Sequence, residues 1–188
     1  LYLTIEDSGS AKVYRQDVGG GGRTLVLGEG SSGDVQISGD GRTLLFTRAS
    51  LTAPAEIFRA NADGSGVTAV TSLNTAFLKP FGLKPGESVT YAGAGGAIVQ
   101  AWIVKPNGFQ DGRRYPLLYL VHGGPQGAWN DAWTYRWNAQ VFASAGFVVF
   151  MPNPRGSTGF GQRFTDEISK DWGGRVFEDL MKGVDYAE

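Results

Sequence analysis

The sequence has no cysteine and a single histidine, His122, in 188 residues. The first absence excludes a disulfide scaffold, a thiolate metal site and a cysteine nucleophile, and leaves the compartment open. The second leaves no room for a metal site built on several imidazoles. Charge is balanced: 17 Lys and Arg against 18 Asp and Glu give a formal net charge of −1. There is neither a basic field for nucleic acid nor an acidic tail. No apolar run is long enough to span a bilayer, so a membrane is not an expected partner. No leader segment is visible, but Leu1 is not a start residue and opens inside a strand-like run, Leu1–Ile5. The chain reads as cut at its front, and its localisation stays open between periplasmic or secreted and cytoplasmic.

Glycine is what the chain has in excess, 29 residues, about twice the usual share and mostly in turns. Hydrophobic residues at 41% and aromatics at 12% suffice for a packed core. The first third carries a repeat. An offset of 45 − 1 = 44 residues takes Leu1-Tyr2 onto Leu45-Phe46, Val13-Tyr14-Arg15 onto Ile57-Phe58-Arg59, Thr24 onto Thr68 and Val26 onto Val70 without a gap. A period of about 40–45 residues in an all-strand pattern suggests propeller blades, an ordinary β-meander being the competing reading. Strand-like runs at Val13–Asp17, Thr24–Leu27, Thr43–Arg48 and Glu56–Ala60 alternate with turn clusters holding Asp40-Gly41 and Asp63-Gly64, good hairpin signals. Two blades cannot close a ring.

Lys79–Gly86 is punctuated by Pro and Gly and reads as a linker. Strands are expected at Ser88–Ala92, Ile98–Val104, Leu117–Val121 and Phe147–Met151. Trp129, Trp133, Trp137, Val141 and Ala145 recur every fourth residue and predict one helical face, closed by Gly146. A last helix is expected to share Phe177, Leu180, Val184 and Ala187, with Asp171 at its N-cap and Glu178 and Asp179 on its solvated side. This alternation predicts an α/β layer fold with a mostly parallel sheet.

The chemistry centres on Leu118–Pro125, a strand running into His122-Gly123-Gly124-Pro125. Two glycines at a strand's C-terminal end let the backbone turn without a Cβ and expose amide N–H groups. Such donors stabilise an oxyanion in acyl transfer, and α/β-hydrolases draw one from this loop. Asn153-Pro154-Arg155-Gly156-Ser157-Thr158-Gly159-Phe160-Gly161 matches neither G-x-G-x-x-G nor a Walker A loop. It reads as a structural loop with Arg155 in a buried pair or hydrogen-bonded turn. No G-x-S-x-G is present, and His122 precedes the place of a nucleophile serine, so it does not fit the Ser, Asp, His order. No catalytic triad residue and no metal ligand is identified in the chain.

The order of these features, a propeller-like end, a linker, His122-Gly123-Gly124-Pro125-Gln126-Gly127, the Asn153–Gly161 loop and Asp171-Trp172-Gly173-Gly174, resembles the prolyl oligopeptidase family of serine peptidases. The likeness is to its dipeptidyl-peptidase 5 and acylaminoacyl-peptidase branch, strong over residues 89–188 and at the level of blade pattern over 1–78. The resemblance implies about two blades at the end of a β-propeller (1–78), followed by the N-terminal half of an α/β-hydrolase domain (79–188). It implies a Ser-Asp-His triad beyond residue 188 that cleaves short peptides near their N-terminus through an acyl-enzyme, with no cofactor. The oxyanion donor maps onto Gly124, then Gly123, in a loop that includes His122 and Pro125. The tyrosine that some relatives have at the position of His122, and whose hydroxyl they use, is absent. The implied partners are a short peptide substrate and the remainder of its own polypeptide; homo-oligomer formation is left open. An esterase of the same fold, or a propeller-based scaffold with a degenerate hydrolase domain, are the competing functions.

Overall fold

The computed structural model describes all residues, Leu1–Glu188, in two compact units. The first comprises residues 1–83 with 130–136, the second 84–129 with 137–188.

In the first unit, β1 (Tyr2–Glu6), β2 (Ala11–Gln16) and β3 (Arg23–Leu27) form one antiparallel sheet in chain order. β4 (Ser31–Ile37), β5 (Thr43–Ser50), β6 (Ala53–Asn61) and the short β7 (Thr68–Ala69) form a second. The 44-residue offset carries β1 into β5, β2 into β6 and β3 onto β7, so the sequence repeat is a repeat of hairpins. Alternation decides which face is covered. Leu44 and Phe46 of β5 are buried while Leu45 between them is exposed. They join Val13, Leu27 and Ala60 in one core. The turns after β4 and β6 hold the Asp-Gly pairs: Asp40 accepts from Ser38 Oγ, and Asp63 from Ser65. β4 was not expected, because its alternation breaks. The register slips between Gly33 and Gln36, and Asp34 takes a positive φ of 50°, an irregularity of the β-bulge kind. These two meanders have blade-like strand order; a closed ring is not part of residues 1–188.

The linker begins as the short helix α1 (Thr75–Leu78), followed by a 3-10 turn at Lys79–Phe81. Residues 130–136 belong to the first unit through backbone pairing. Asp131 N–H donates to Gly9 O at 2.7 Å, and its carboxylate accepts from Leu51 N–H at 2.8 Å. Burial raises the Asp131 carboxyl above the ordinary range, against the smaller effect of the Leu51 amide.

The second unit has β8 (Glu87–Ala92), β9 (Ile98–Val104), β10 (Leu117–Tyr119) and β11 (Val148–Asn153) in the order β10-β11-β9-β8. Only β10 and β11 are parallel, so the expectation of a mostly parallel sheet is corrected: within these residues the sheet is mostly antiparallel. As a strand at the sheet's end, β10 is half-buried rather than fully buried as its apolar run suggests, and it is shorter, with Val121 53% exposed. Helices α2 (Ala139–Ser144), α3 (Gln162–Asp166) and α4 (Arg175–Ala187) complete the unit.

Two helical expectations are corrected. The tryptophan-spaced helix exists only as α2, and Trp129, Trp133 and Trp137 precede it in irregular chain. The backbone of Trp129 bonds to side chains instead: its N–H donates to Asn153 Oδ1, and its carbonyl accepts from Trp102 Nε1 and Asn153 Nδ2. Asn138 then caps α2 by accepting from Gln140 N–H, and Gly146 ends it at a φ of 94°. In α4 the buried residues are Val176, Asp179 and Gly183, while Phe177 is 57% exposed. Asp179 is therefore not on a solvated side. Asp171 is not the N-cap, which is Gly174, although its carboxylate accepts from Arg175 N–H at 3.3 Å.

Gly183 is required by a close approach. Tyr91 Oη donates to Asp179 O at 3.1 Å and Tyr119 Oη to Leu180 O at 2.6 Å, and a Cβ on Gly183 would overlap both phenolic oxygens. Alanine in a helix is worth about 1 kcal/mol over glycine, whereas overpacking of a filled core costs ~1–3 kcal/mol. With two anchored tyrosines the steric effect dominates. Gly183→Ala is expected to lower stability in urea denaturation by ~1–2 kcal/mol; a gain would show that the tyrosines yield.

Candidate active site

β10 ends half-buried at the edge of the sheet, and the chain then becomes exposed at Val121. Leu120 N–H still pairs with Phe150 O at 2.9 Å, and its carbonyl accepts from Trp129 Nε1 at 2.9 Å. Both ends of the following loop are thus tied down. Between them Gly123 and Gly124 are exposed, and neither amide donates to a protein acceptor. Gly124 has a φ of 124°, which side-chain-bearing residues rarely adopt. Pro125 is half-buried behind it, and its carbonyl accepts from Gly127 N–H at 3.1 Å.

The loop rests on buried polar groups at and after the end of β11. Asn153, fully buried, donates to Gln100 Oε1 at 2.6 Å and clamps Trp129 from both sides. Ser157, also fully buried, donates to Pro154 O at 2.6 Å and lies 2.9 Å from His122 Nε2. The other ring nitrogen, Nδ1, is 3.2 Å from Gly123 O. Burial pushes the His122 pKa down, against a weaker upward pull from the Gly123 carbonyl. Burial also pushes Tyr119 up to about 12.

Ser157 and His122 have the spacing of a nucleophile and its base. Burial rules out that role, since the hydroxyl is closed to any substrate and already bonded to Pro154. The imidazole's far nitrogen faces a carbonyl rather than a carboxylate. What the loop offers is two exposed amides near a strand end with no protein acceptor, which leaves both able to donate. His122, Gly123, Gly124 and Pro125 come together as their adjacency requires. Asn153, Ser157 and Trp129 were not singled out as supports, because their roles depend on contacts 24 to 35 residues apart in sequence.

Arg155 does sit in a buried pair. Nη1 donates to Asp179 Oδ1 at 2.5 Å, Nε to Glu167 Oε2 at 2.7 Å, and Nη2 to Ala94 O at 2.6 Å. Asp179 also accepts from the amides of Ala94 at 2.7 Å and Arg155 at 3.1 Å. The Arg155 guanidinium holds the Glu167 carboxyl below its usual range.

Removing one partner of a buried pair typically costs ~3–5 kcal/mol. Asp179→Ala is expected to lose that much in guanidinium denaturation, and a loss under about 1 kcal/mol would contradict the network. The histidine sets a pH dependence. His122 stays neutral in the folded chain to lower pH than in the unfolded chain. Between its depressed folded midpoint and about 6.5 the unfolded state therefore binds more protons. This contribution is complete above about pH 6.5 and is lost as pH falls toward the folded midpoint. His122→Gln should flatten the stability profile there, measured by denaturation at a series of pH values; an unchanged slope would contradict it.

Residues 133–188 match the prolyl oligopeptidase family. A dipeptidyl-peptidase 5 of Schizosaccharomyces pombe is 50% identical over 121 residues, 62% of this chain and 18% of that protein. A dipeptidyl-peptidase 5 of Trichophyton schoenleinii is 38% identical over 187 residues, 97% of this chain and 26% of the relative. Among solved structures, the Pyrococcus horikoshii acylaminoacyl peptidase has a similar fold, with a TM-score of 0.83 at 24% identity over 99% of this chain and 28% of its own. Dipeptidyl peptidase 4 of Porphyromonas gingivalis gives 0.73 at 23% identity over 98% of this chain and 26% of its own. The chain spans about a quarter of the length of the Trichophyton relative. With the glycine loop and these matches together, the chain belongs to the prolyl oligopeptidase family of peptidases.

Proposed function

We propose that this chain supplies the oxyanion-binding loop of a serine peptidase that cleaves short peptides near their N-terminus, as a dipeptidyl- or acylaminoacyl-peptidase. The observation that carries the reading is the exposed Gly123-Gly124 turn after β10, with both amides unbonded. When a hydroxyl attacks a peptide carbonyl, its oxygen becomes anionic in the tetrahedral intermediate. A donor already in place stabilises that charge without reorganisation. Gly124 N–H takes this role, with Gly123 N–H next to it. The attacking serine, its aspartate and its histidine are assigned to polypeptide outside residues 1–188, because no G-x-S-x-G is present and the only histidine is in the loop itself. The two blade-like sheets agree with a propeller that restricts substrates to short peptides.

The test is an assay of the full polypeptide on dipeptidyl-β-naphthylamides and on acyl-amino-acid amides. Hydrolysis of one class is expected, and inertness toward both would leave the scaffold reading. In the active protein, Gly124→Ala keeps the N–H but is strained at a φ of 124°, so the amide should be turned from its aim and kcat should fall by ~10²-fold with little change in KM. An unchanged kcat would show that the reaction does not depend on where this amide points, against the oxyanion reading.

A further inference from the structure

A line of three polar contacts joins the glycine loop to the core. Pro154 O meets Ser157 Oγ at 2.6 Å, Ser157 Oγ meets His122 Nε2 at 2.9 Å, and His122 Nδ1 meets Gly123 O at 3.2 Å. Both ends are carbonyl oxygens, which only accept. Each contact needs one hydrogen, yet a hydroxyl and a neutral imidazole bring two between them. One contact must be without a hydrogen.

The distances identify it. Two bare oxygens at 2.6 Å would repel, so the Ser157 hydrogen points to Pro154 O. The Ser157 oxygen is then an acceptor toward the ring, and the ring's hydrogen lies on Nε2. Nδ1 is left bare at the longest of the three contacts. No charged side chain acts on this arrangement. Burial and the Gly123 carbonyl are the influences on the ring. Its aromatic neighbour Trp129 stands edge-on at 6.3 Å. Arg155, two residues before Ser157, is occupied by Asp179 and Glu167.

We infer that Ser157 is a positioning residue of the loop: by donating to Pro154 it fixes His122 as the Nε2–H tautomer and withholds a hydrogen bond from the Gly123 carbonyl. That carbonyl and the Gly124 N–H belong to one trans peptide and point in opposite directions. Whatever ties the carbonyl therefore aims the amide. With Nδ1 bare, the peptide has no bond to the ring. Protonation of His122 supplies the third hydrogen and ties it. The catalytic meaning of this control rests on the oxyanion reading above; the tautomer does not.

His122 is the only histidine of residues 1–188; in the full polypeptide the signal lost in His122→Gln assigns its imidazole, and long-range ¹⁵N spectra then identify the protonated nitrogen. The wild-type chain should show Nε2–H at neutral pH, and its Gly124 amide resonance should titrate together with the ring. Ser157→Ala removes the oxygen that accepts from Nε2, so the hydrogen should move to Nδ1 and the Gly124 amide should stop responding to ring protonation. Ser157→Thr, which keeps the hydroxyl, should retain the wild-type tautomer. An Nδ1–H wild type, an unchanged tautomer in Ser157→Ala, or a wild-type Gly124 amide indifferent to the titration would each overturn the assignment. The two wild-type measurements decide it even where a variant does not fold. Failure of the Gly124→Ala kinetics would remove the oxyanion role and leave the Ser157 assignment intact.

Discussion

A buried guanidinium must have its donors answered by acceptors, and in the second unit this requirement organises the rest. Arg155 is answered by Asp179 from α4, Glu167 from the end of α3 and the Ala94 carbonyl from the turn after β8. Asp179 returns the constraint by accepting the amides of Ala94 and Arg155. Three segments distant in sequence are fixed by one guanidinium, which pairs with two carboxylates. Such a pair is weak evidence for net stability, because desolvating two charges offsets their attraction. Its consequence here is geometric. Gly93 lacks a Cβ where the Asp179 carboxylate and Val99 approach, and the loop carrying Ser157 leaves β11 along a single path.

That path determines what the glycine loop can do. Asn153 and Ser157 lie on either side of Arg155, and each reaches toward the segment after β10, one to Trp129 and the other to His122. The glycines contribute little of their own order. Their turn is shaped because what precedes and follows it is held. Exposed amides at a strand end are common; amides whose flanking residues are bonded into a core are preorganised, and preorganisation makes such donors effective against a developing charge.

The local parts of this arrangement were legible in the sequence. A 44-residue offset, Asp-Gly turns and alternating apolar residues identified the hairpins, because those signals arise from neighbouring residues. His122-Gly123-Gly124 was legible for the same reason. The failures have other causes. The every-fourth tryptophans imitate a helix, but Asn153, 24 residues away, takes the Trp129 backbone. Asp179 has the position of a solvated helix residue and is buried because Arg155 needs it. Gly33 and Asp34 concealed β4 because a bulge interrupts the pattern that identifies a strand. Charge pairing and side-chain-to-backbone bonding between distant residues overrode the local pattern in the first two cases, and local irregularity hid the third.

Ser157 extends this contrast to the level of hydrogens. Its contacts to Pro154 and His122 look complete when distances alone are counted. Counting hydrogens shows a line that is one short, ending at the carbonyl of the proposed donor peptide. A core that satisfied all three contacts would tie that peptide to the ring at every pH. Leaving the deficit at the exposed end places it where water reaches, so its cost is smaller than that of an orphaned group in the interior. The interior contacts of Asn153, Arg155 and Asp179 are satisfied, and the incomplete one lies beside the amide that the proposed function assigns to a substrate oxygen. Rigidity below the loop and a withheld bond within it are compatible because they belong to different residues.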